Sequence, residues 1–470
     1  MNNYKKLINN TLIFAIGNLG SKIIVFFLLP LYTAYLAQSE FGLVDLLTTT
    51  IGLLLPVITL SIFDSVFRFV MDKNYDEQSV LTNSLVVVLT GFVISLVLYP
   101  LFLYALPFDK YLPYFYTLLF FQSFNAVVTQ YVRAKGLVKL FAFSGIINAI
   151  VLLCSNLVLL AVFHTGILGY LTSLIMANIF SSLLVVIKSN IYRDIVIKKI
   201  NIVLIKEMLI YSIPLIPNSL MWWVMSLSDR YLILYFLGSS ANGLYAVANK
   251  IPSVLTVVNS IFFQAWQMSA IEEEKSENKS KFFSDIFNLF APTILIFTSV
   301  LLIFLKFIMT HLVASEYYEA WIFVPYLLLG VIFSSFSGFL GTNYIVAKKT
   351  GGVFKTSSVG AIFNIIFNII LIPIIGTIGA AISTMLSFLI IWLIRVKETK
   401  KFVELRINSK KILFTLIAIN IQIGVMYINL KTEILFHILI LIIILIINFK
   451  EVNRITNKIY NTINKKVKNI

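Results

Sequence analysis

From residue 12 to residue 449 the chain alternates between long apolar runs and short polar breaks. Most runs are about 18–25 residues long, the length an α-helix needs to cross a hydrocarbon core about 30 Å thick and about twice what a barrel strand needs. Fourteen spans are predicted: 12–36, 43–63, 80–103, 114–132, 141–163, 167–187, 208–236, 244–266, 283–308, 321–346, 359–374, 378–394, 412–428 and 434–449. The fold class this predicts is an all-α polytopic membrane protein. Its outer loops are too short for an extracytoplasmic domain.

Composition agrees with the pattern. The chain is 59% hydrophobic and 12% charged with a mean hydropathy of +0.94, against roughly 45–50% apolar in soluble domains. A single cysteine, Cys154, excludes an internal disulfide and reads as an apolar filler. The three histidines, His164, His311 and His437, are too scattered to form a metal set, and the first two belong at outer helix ends, where they are expected to be solvated.

The formal net charge of +16 could suggest nucleic acid. Basic residues confined to short inter-span segments are instead a topology signal, so no nucleic-acid partner is expected. With the N-terminus inside, the 37 Lys and Arg residues fall in cytoplasmic segments, except Lys110 and Lys431 in outer loops and Lys22, Arg230, Lys250 and Lys306 within spans. Both termini are therefore expected in the cytoplasm. The opening MNNYKKLINN reads as an anchor rather than a cleaved signal. The basic tail, 450–470, reads equally as a helix on the anionic inner surface and as a solvated anchor.

Three pairs of segments repeat at an offset of about two hundred residues. YLAQSEFGLV, ending at Val44, matches FLGSSANGLY, ending at Tyr245; Gln130 to Lys135 matches Asn343 to Lys348; and Gly166-Ile-Leu-Gly169 matches Gly376-Thr-Ile-Gly379. Spans 1–6 and 7–12 thus read as two copies of one unit. Because each copy has an even number of spans, both enter from the same side, and an axis along the membrane normal should relate them around a central cavity. The expected division is 1–200 (N-lobe), 201–401 (C-lobe), 402–449 (the last two spans) and 450–470 (tail). Pro30, Pro56, Pro214, Pro217 and Pro252 lie within spans, where each frees a backbone carbonyl and allows a bend.

Charge inside spans carries the candidate chemistry. Lys22 lies deep in span 1 on a face with Thr11, Ala15 and Asn18. In span 8, Gly243, Ala246, Lys250, Ser253, Val257, Ser260 and Gln264 form a small, polar face flanked by Asn249. Span 7 puts Ser219, Trp223, Ser226 and Arg230 on one face, and Trp222 and Trp223 sit mid-span, where a tryptophan can offer a platform to a sugar ring. Asp229 and Arg230, adjacent and about 100° apart on a helix, are expected to find partners elsewhere. Asp64 and Arg68 have intrahelical ion-pair spacing, and Asp45 and Glu40 lie near a membrane end. Asp229, Asp64, Asp45 and Arg68 are the candidates for ion coupling or gating. The competing reading of each buried charge is a structural ion pair, such as Lys22 with Asp64 or Arg230 with Asp45. Three deep cations against one deep acid favour an anionic cargo.

With the repeat and the motifs YLAQSEFGL, DRYLILYFLG, ANGLYAVANK and GTIGAAIST, the chain resembles, end to end, bacterial polysaccharide flippases. These form the O-antigen and capsule exporter branch of the multidrug/oligosaccharidyl-lipid/polysaccharide superfamily. The resemblance implies a non-enzymatic transporter of the bacterial cytoplasmic membrane that flips undecaprenyl-diphosphate-linked oligosaccharide to the outer leaflet by alternating access. Glycosyltransferases and a polysaccharide polymerase are the implied pathway partners. No cofactor is expected; coupling to membrane potential, Na+ or H+ stays open. In this picture Lys22, Arg230 and Lys250 bind the diphosphate, and Asn18, Asn249 and Trp222 or Trp223 contact the rest of the cargo. At about 0.8 kcal/mol per CH₂ the lipid tail stays among the membrane lipids, with spans 13 and 14 as its groove. Outward movement of two negative charges is favoured by about 4–5 kcal/mol at 100 mV. A lipid II flippase and a drug/cation antiporter of the same superfamily are the alternatives. A polymerase or glycosyltransferase would need sizeable outer loops.

Overall fold

The computed structural model describes residues 20–454 apart from 73, 274, 275, 348, 350, 429 and 431. Among the described residues every regular element is helical. Ten helices among the described residues are long and apolar enough to cross a membrane, and an eleventh if Ser239–Ala248 and Lys250–Phe263 count as one broken span. Length and apolarity alone therefore fall short of the fourteen expected spans. The chain is nonetheless a multi-pass membrane protein. It divides into two compact units, the first ending at Val247 and the second starting at Ala248.

The first unit contains α1 (Gly20–Tyr35), α2 (Gln38–Ile58), α3 (Ile62–Val70), α4 (Glu77–Val97), α5 (Tyr99–Ala105), α6 (Leu112–Ala134), α7 (Val138–Asn156) and α8 (Gly166–Lys188). It continues through α9 (Ile202–Ser212), α10 (Ile216–Leu227), α11 (Asp229–Leu237) and α12 (Ser239–Ala248). Its core joins α3, α4, α6, α8 and α9 through Val66, Leu81, Val128, Tyr131, Val185 and Met208. Ser65 Oγ donates to the Met208 carbonyl at 2.7 Å, tying α3 to α9.

Predicted span 7 is not one helix. A 3₁₀ turn, Ile213–Leu215, separates α9 from α10 within the one span-length stretch Ile202–Leu227, because Pro214 and Pro217 cannot donate to the helical ladder; a second boundary, at Ser228, separates α10 from α11. Predicted span 8 breaks at Asn249 for the same reason: Pro252 leaves the Ala248 carbonyl without its helical donor. The continuous polar face expected from Gly243 to Gln264 is therefore interrupted. Gly243 and Ala246 are buried, whereas Ser253 and Ser260 are exposed.

The second unit holds α13 (Lys250–Glu272), α14 (Lys279–Leu312), α15 (Val324–Val346), α16 (Gly351–Ile375), α17 (Thr377–Glu398), α18 (Ser409–Ile428) and α19 (Glu433–Ile447). Trp266 stacks on Phe339 at 4.3 Å, and Phe262 stacks on Phe290 at 4.1 Å, locking α13, α14 and α15 together.

The internal repeat has structural content in each unit. Gly166 (φ +56°) and Gly376 (φ +67°) both occupy the left-handed region where α8 and α17 start, a conformation that favours glycine. Tyr131 of α6 donates to Asp194 at 2.8 Å, and the equivalent Tyr344 of α15 donates to Glu398 at 2.8 Å. Each copy thus uses a tyrosine and a carboxylate to tie its fourth span to its sixth, at the helix end in the second copy and at the turn just after the helix in the first. The segment after α8 is held down as well: Lys199 pairs with Asp76 at 2.8 Å, and Asn83 accepts from the Asn201 backbone at 2.8 Å.

Candidate functional site

The two repeat motifs that end in Gly-Leu meet each other. A Cβ on Gly42 would come within 2.2 Å of the Ser239 carbonyl oxygen, and one on Gly243 within 2.0 Å of the Gln38 carbonyl oxygen. Only glycine at both positions lets α2 and α12 cross backbone to backbone. Asn242 Nδ2 closes the crossing on the Gly42 carbonyl at 2.8 Å.

Immediately beyond this crossing lies a buried ionic cluster. Arg230 of α11 donates through Nε to Asp45 of α2 at 3.0 Å and through Nη1 to Asp229 at 2.8 Å and to the Ser226 carbonyl at 3.0 Å. Tyr245 of α12 donates its hydroxyl to the other oxygen of Asp229. Its ring lies 5.5 Å from the guanidinium carbon. The Arg230 and Asp229 side chains are 6% and 2% exposed, so water cannot replace these partners. One guanidinium thus gathers α2, α11 and, through Asp229 and Tyr245, α12.

Two further contacts extend the seam along α2. Trp223 Nε1 of α10 donates to the Thr49 carbonyl at 2.9 Å, and the Thr50 and Tyr231 hydroxyls bond to each other. The arrangement is a latch: a helix of the first repeat is held to three helical pieces at the start of the second by one buried charge network and a glycine crossing. Removing one member of such a network costs about 3–5 kcal/mol, because it leaves a buried charge uncompensated.

The predicted site residues are distributed as follows. Arg230 with Asp45 is the structural pair that the sequence offers as the alternative to cargo contact. Asp229 and Arg230, expected to avoid each other, bond directly; at the first turn of α11 both side chains turn toward Tyr245 and Asp45 rather than outward. Trp223 is half-buried with its indole N–H engaged by α2, which makes it a tie between helices in this state. Trp222 is half-buried beside it. Lys22 is exposed on α1 and, among the described residues, has no ion pair with Asp64. Asn18, with Thr11 and Ala15, lies outside the described residues. Asn249 and Lys250 are half-buried at the break between α12 and α13. Asp64 is half-buried and Arg68 exposed, and among the described residues they do not form the spaced ion pair expected of them. Glu40 caps α2, its carboxylate accepting from the Ala37 backbone at 3.0 Å.

One buried charge escaped the sequence reading. Arg395 of α17, counted there as a loop cation, is 1% exposed. It donates to Thr356 Oγ1 at 2.9 Å, the Ser337 carbonyl at 2.8 Å and Ser357 Oγ at 3.2 Å, binding α15, α16 and α17 together. Its signal was available in the run of small hydroxyl residues on α16, which an apolar helix does not need.

The fold is that of transporters of the MOP superfamily. It matches a structure of the lipid II flippase MurJ in an inward closed conformation with a TM-score of 0.72 and 16% identity, covering 94% of this chain and 99% of that one. A multidrug resistance MATE family transporter, inward-facing, matches with a TM-score of 0.66 and 12% identity over 83% of this chain and 98% of that one. The chain belongs to the family described as polysaccharide biosynthesis protein, which matches residues 7–267. It is also similar to two archaeal proteins. It shares 30% identity over 264 residues with the uncharacterized membrane protein MJ1068 of Methanocaldococcus jannaschii (53% of this chain, 52% of that). With the probable low-salt glycan biosynthesis flippase Agl15 of Haloferax volcanii it shares 26% over 226 residues (46% and 47%). The chain spans about half the length of these curated relatives. Their archaeal origin gives no support to the bacterial assignment that the motifs suggested.

Proposed function

We propose that this protein is a flippase for a polyprenyl-diphosphate-linked oligosaccharide, undecaprenyl in a bacterial host. It moves the repeat unit from the inner to the outer leaflet by alternating access, with fourteen spans and both termini cytoplasmic. The observation that carries this reading is the reach of the structural likeness. The lipid II flippase aligns over 94% of this chain, whereas MATE transporters align over 83–85%. With the polysaccharide biosynthesis family match over residues 7–267 this supports a lipid-linked glycan cargo, while lipid II and drug cations fit the same fold.

Lys22 and Lys250 are each proposed as a diphosphate contact, and Asn18 and Asn249 as further cargo contacts. Arg230 and Trp223 become available to cargo only when the latch opens; Asp45 and Asp229 act as gating groups, and Asp64 and Arg68 stay candidates for ion coupling. The membrane potential drives the dianionic head group outward.

The test is reconstitution of the full chain in proteoliposomes loaded with lipid-linked oligosaccharide, lipid II or a cationic dye. Cargo reaching the far leaflet is read with an impermeant glycan-cleaving or labelling reagent. Flipping of the oligosaccharide lipid that falls at least tenfold in Lys22→Ala or Lys250→Ala supports the reading. Transport of lipid II alone or dye alone would replace it with one of the two rivals.

A further inference from the structure

In the second unit, α14, α18, α19 and the segment that follows α19 are joined by polar rungs. Asp285 pairs with Arg454 at 3.3 Å and Lys411 with Glu451 at 2.7 Å. Asn448 donates to Thr415 at 3.0 Å, and Ser299 and Gln422 exchange bonds at 2.8 and 3.0 Å. At the other end Lys306 pairs with Glu433 at 2.8 Å, donates to the Met426 carbonyl at 3.0 Å and lies 4.7 Å from the centre of the Trp321 ring.

His437 sits one turn beyond Glu433 on α19. It is 2% exposed, and neither ring nitrogen has a hydrogen-bond partner among the described residues. The rest of the ladder is satisfied; this imidazole, between the Gln422 and Lys306 rungs, is not. A buried polar ring without a partner calls for an explanation. The charged groups facing it are Glu433 on its own helix and Lys306 on α14. From Ile412 to Ile428, α18 contributes no titratable side chain except Tyr427, and that hydroxyl donates to the Ile322 carbonyl at 2.5 Å.

We propose that His437 is a proton-binding site that couples proton occupancy to the grip of α19 on α14. A proton from water at the outer end adds to a free ring nitrogen. The imidazolium then attracts the Glu433 carboxylate across one helical turn, the spacing at which opposite charges meet on a helix face. Glu433 is shared between two cations, and the Lys306 rung loosens. The outer placement and the link to transport rest on the flippase reading; the proton site does not.

The experiment titrates the full chain in lipid nanodiscs, with labelled histidine followed by NMR from about pH 5 to pH 9, around the ordinary imidazole value. His437→Gln assigns one of the three histidine signals. The expected result is a signal whose midpoint moves by about one pH unit in opposite senses on losing each neighbour, down in Glu433→Gln and up in Lys306→Gln. These two variants keep the histidine and stand even if His437→Gln folds poorly, since only His437 has both neighbours. No titration in this range, or a midpoint indifferent to both substitutions, overturns the site. In the proteoliposome assay, a pH dependence of flipping that disappears in His437→Gln supports the coupling. An unchanged pH profile there overturns the coupling while leaving the NMR result intact.

Discussion

The latch reading makes a demand that cargo contact does not: Arg230 must be worth as much to Asp45 and Asp229 as to any substrate. Arg230→Gln removes the only guanidinium in a cluster whose Asp229 and Asp45 side chains are 2% and 16% exposed. Two charges about 4 Å apart at an effective dielectric constant of about 20 interact by about 4 kcal/mol. That agrees with the roughly 3–5 kcal/mol measured when one partner of a buried pair is deleted. At about 1.4 kcal/mol per tenfold change, this is two to nearly four powers of ten in the stability of the latched state. Asp45→Asn should cost less, because Asp45 is the more exposed carboxylate and Arg230 keeps Asp229.

The assay is a double-mutant cycle on unfolding of the purified protein, with Arg230→Gln, Asp45→Asn and the pair. A coupling of at least about 1.5 kcal/mol is expected, since contacting residues in one network couple by about 0.5–3 kcal/mol. Additivity within about 0.5 kcal/mol would refute the latch. Flipping should fall in both single variants. If Arg230 served cargo alone, Asp45→Asn would flip at the wild-type rate.

Gly42→Ala or Gly243→Ala puts a methyl group against a backbone carbonyl that cannot rotate away. Each should lower stability by about 1–3 kcal/mol in thermal unfolding, and the pair by less than the sum because both act at one crossing; unchanged melting would refute the crossing. Tyr131→Phe and Tyr344→Phe each remove one hydroxyl-to-carboxylate bond, so each should cost about 1–2 kcal/mol, with additive effects measured by the same unfolding. A marked inequality would mean the repeats no longer use the tyrosine alike. The hydrogen bond from Lys199 holds the Asp76 carboxyl below its ordinary value. A depressed carboxyl stabilises above its unfolded value of about 3.9 and stops doing so as pH falls through the folded one. Hydrogen-exchange protection of residues 189–201, corrected for intrinsic rates, should therefore drop below about pH 4. Because the pair is half-exposed, the loss should be under about 1 kcal/mol, and protection unchanged to about pH 2 would refute the role.

Apolar run length located the helices well, since a span must satisfy its own backbone in lipid wherever it occurs. The breaks were less legible. Pro214, Pro217 and Pro252 were visible as places where a helix could bend, but whether a span tolerates a proline or divides there depends on the neighbours that take up the freed carbonyls. The repeat was legible as spelling but not as contact. Gly42 and Gly243 stood at matching positions in the text, and nothing in the text said that they touch. Charge was the hardest to place. Asp229 and Arg230 diverge on an ideal helix, yet Asp45, Ser226 and Tyr245 supply partners that bring both inward, and those residues are up to 185 positions away. His437 shows the converse: a polar side chain with nothing near it in sequence but Glu433 is not thereby solvated.

The latch also bears on the energetics of the proposed cycle. If α2 and α10–α12 separate when the transporter changes state, the Arg230 network must open or travel as a unit. Opening it without replacement partners costs about 3–5 kcal/mol. Moving two negative charges outward at 100 mV releases about 4–5 kcal/mol. The two quantities match closely enough that a diphosphate reaching Arg230 as Asp45 leaves would lower the barrier at the moment the field acts on the cargo. A neutral or cationic cargo offers Arg230 no such exchange. In the proposed cycle the latch would therefore act as a selectivity element for anionic cargo. Asp45→Asn, which weakens the latch and keeps the guanidinium, should then narrow the difference in flipping rate between a diphosphate-linked glycan and its monophosphate analogue.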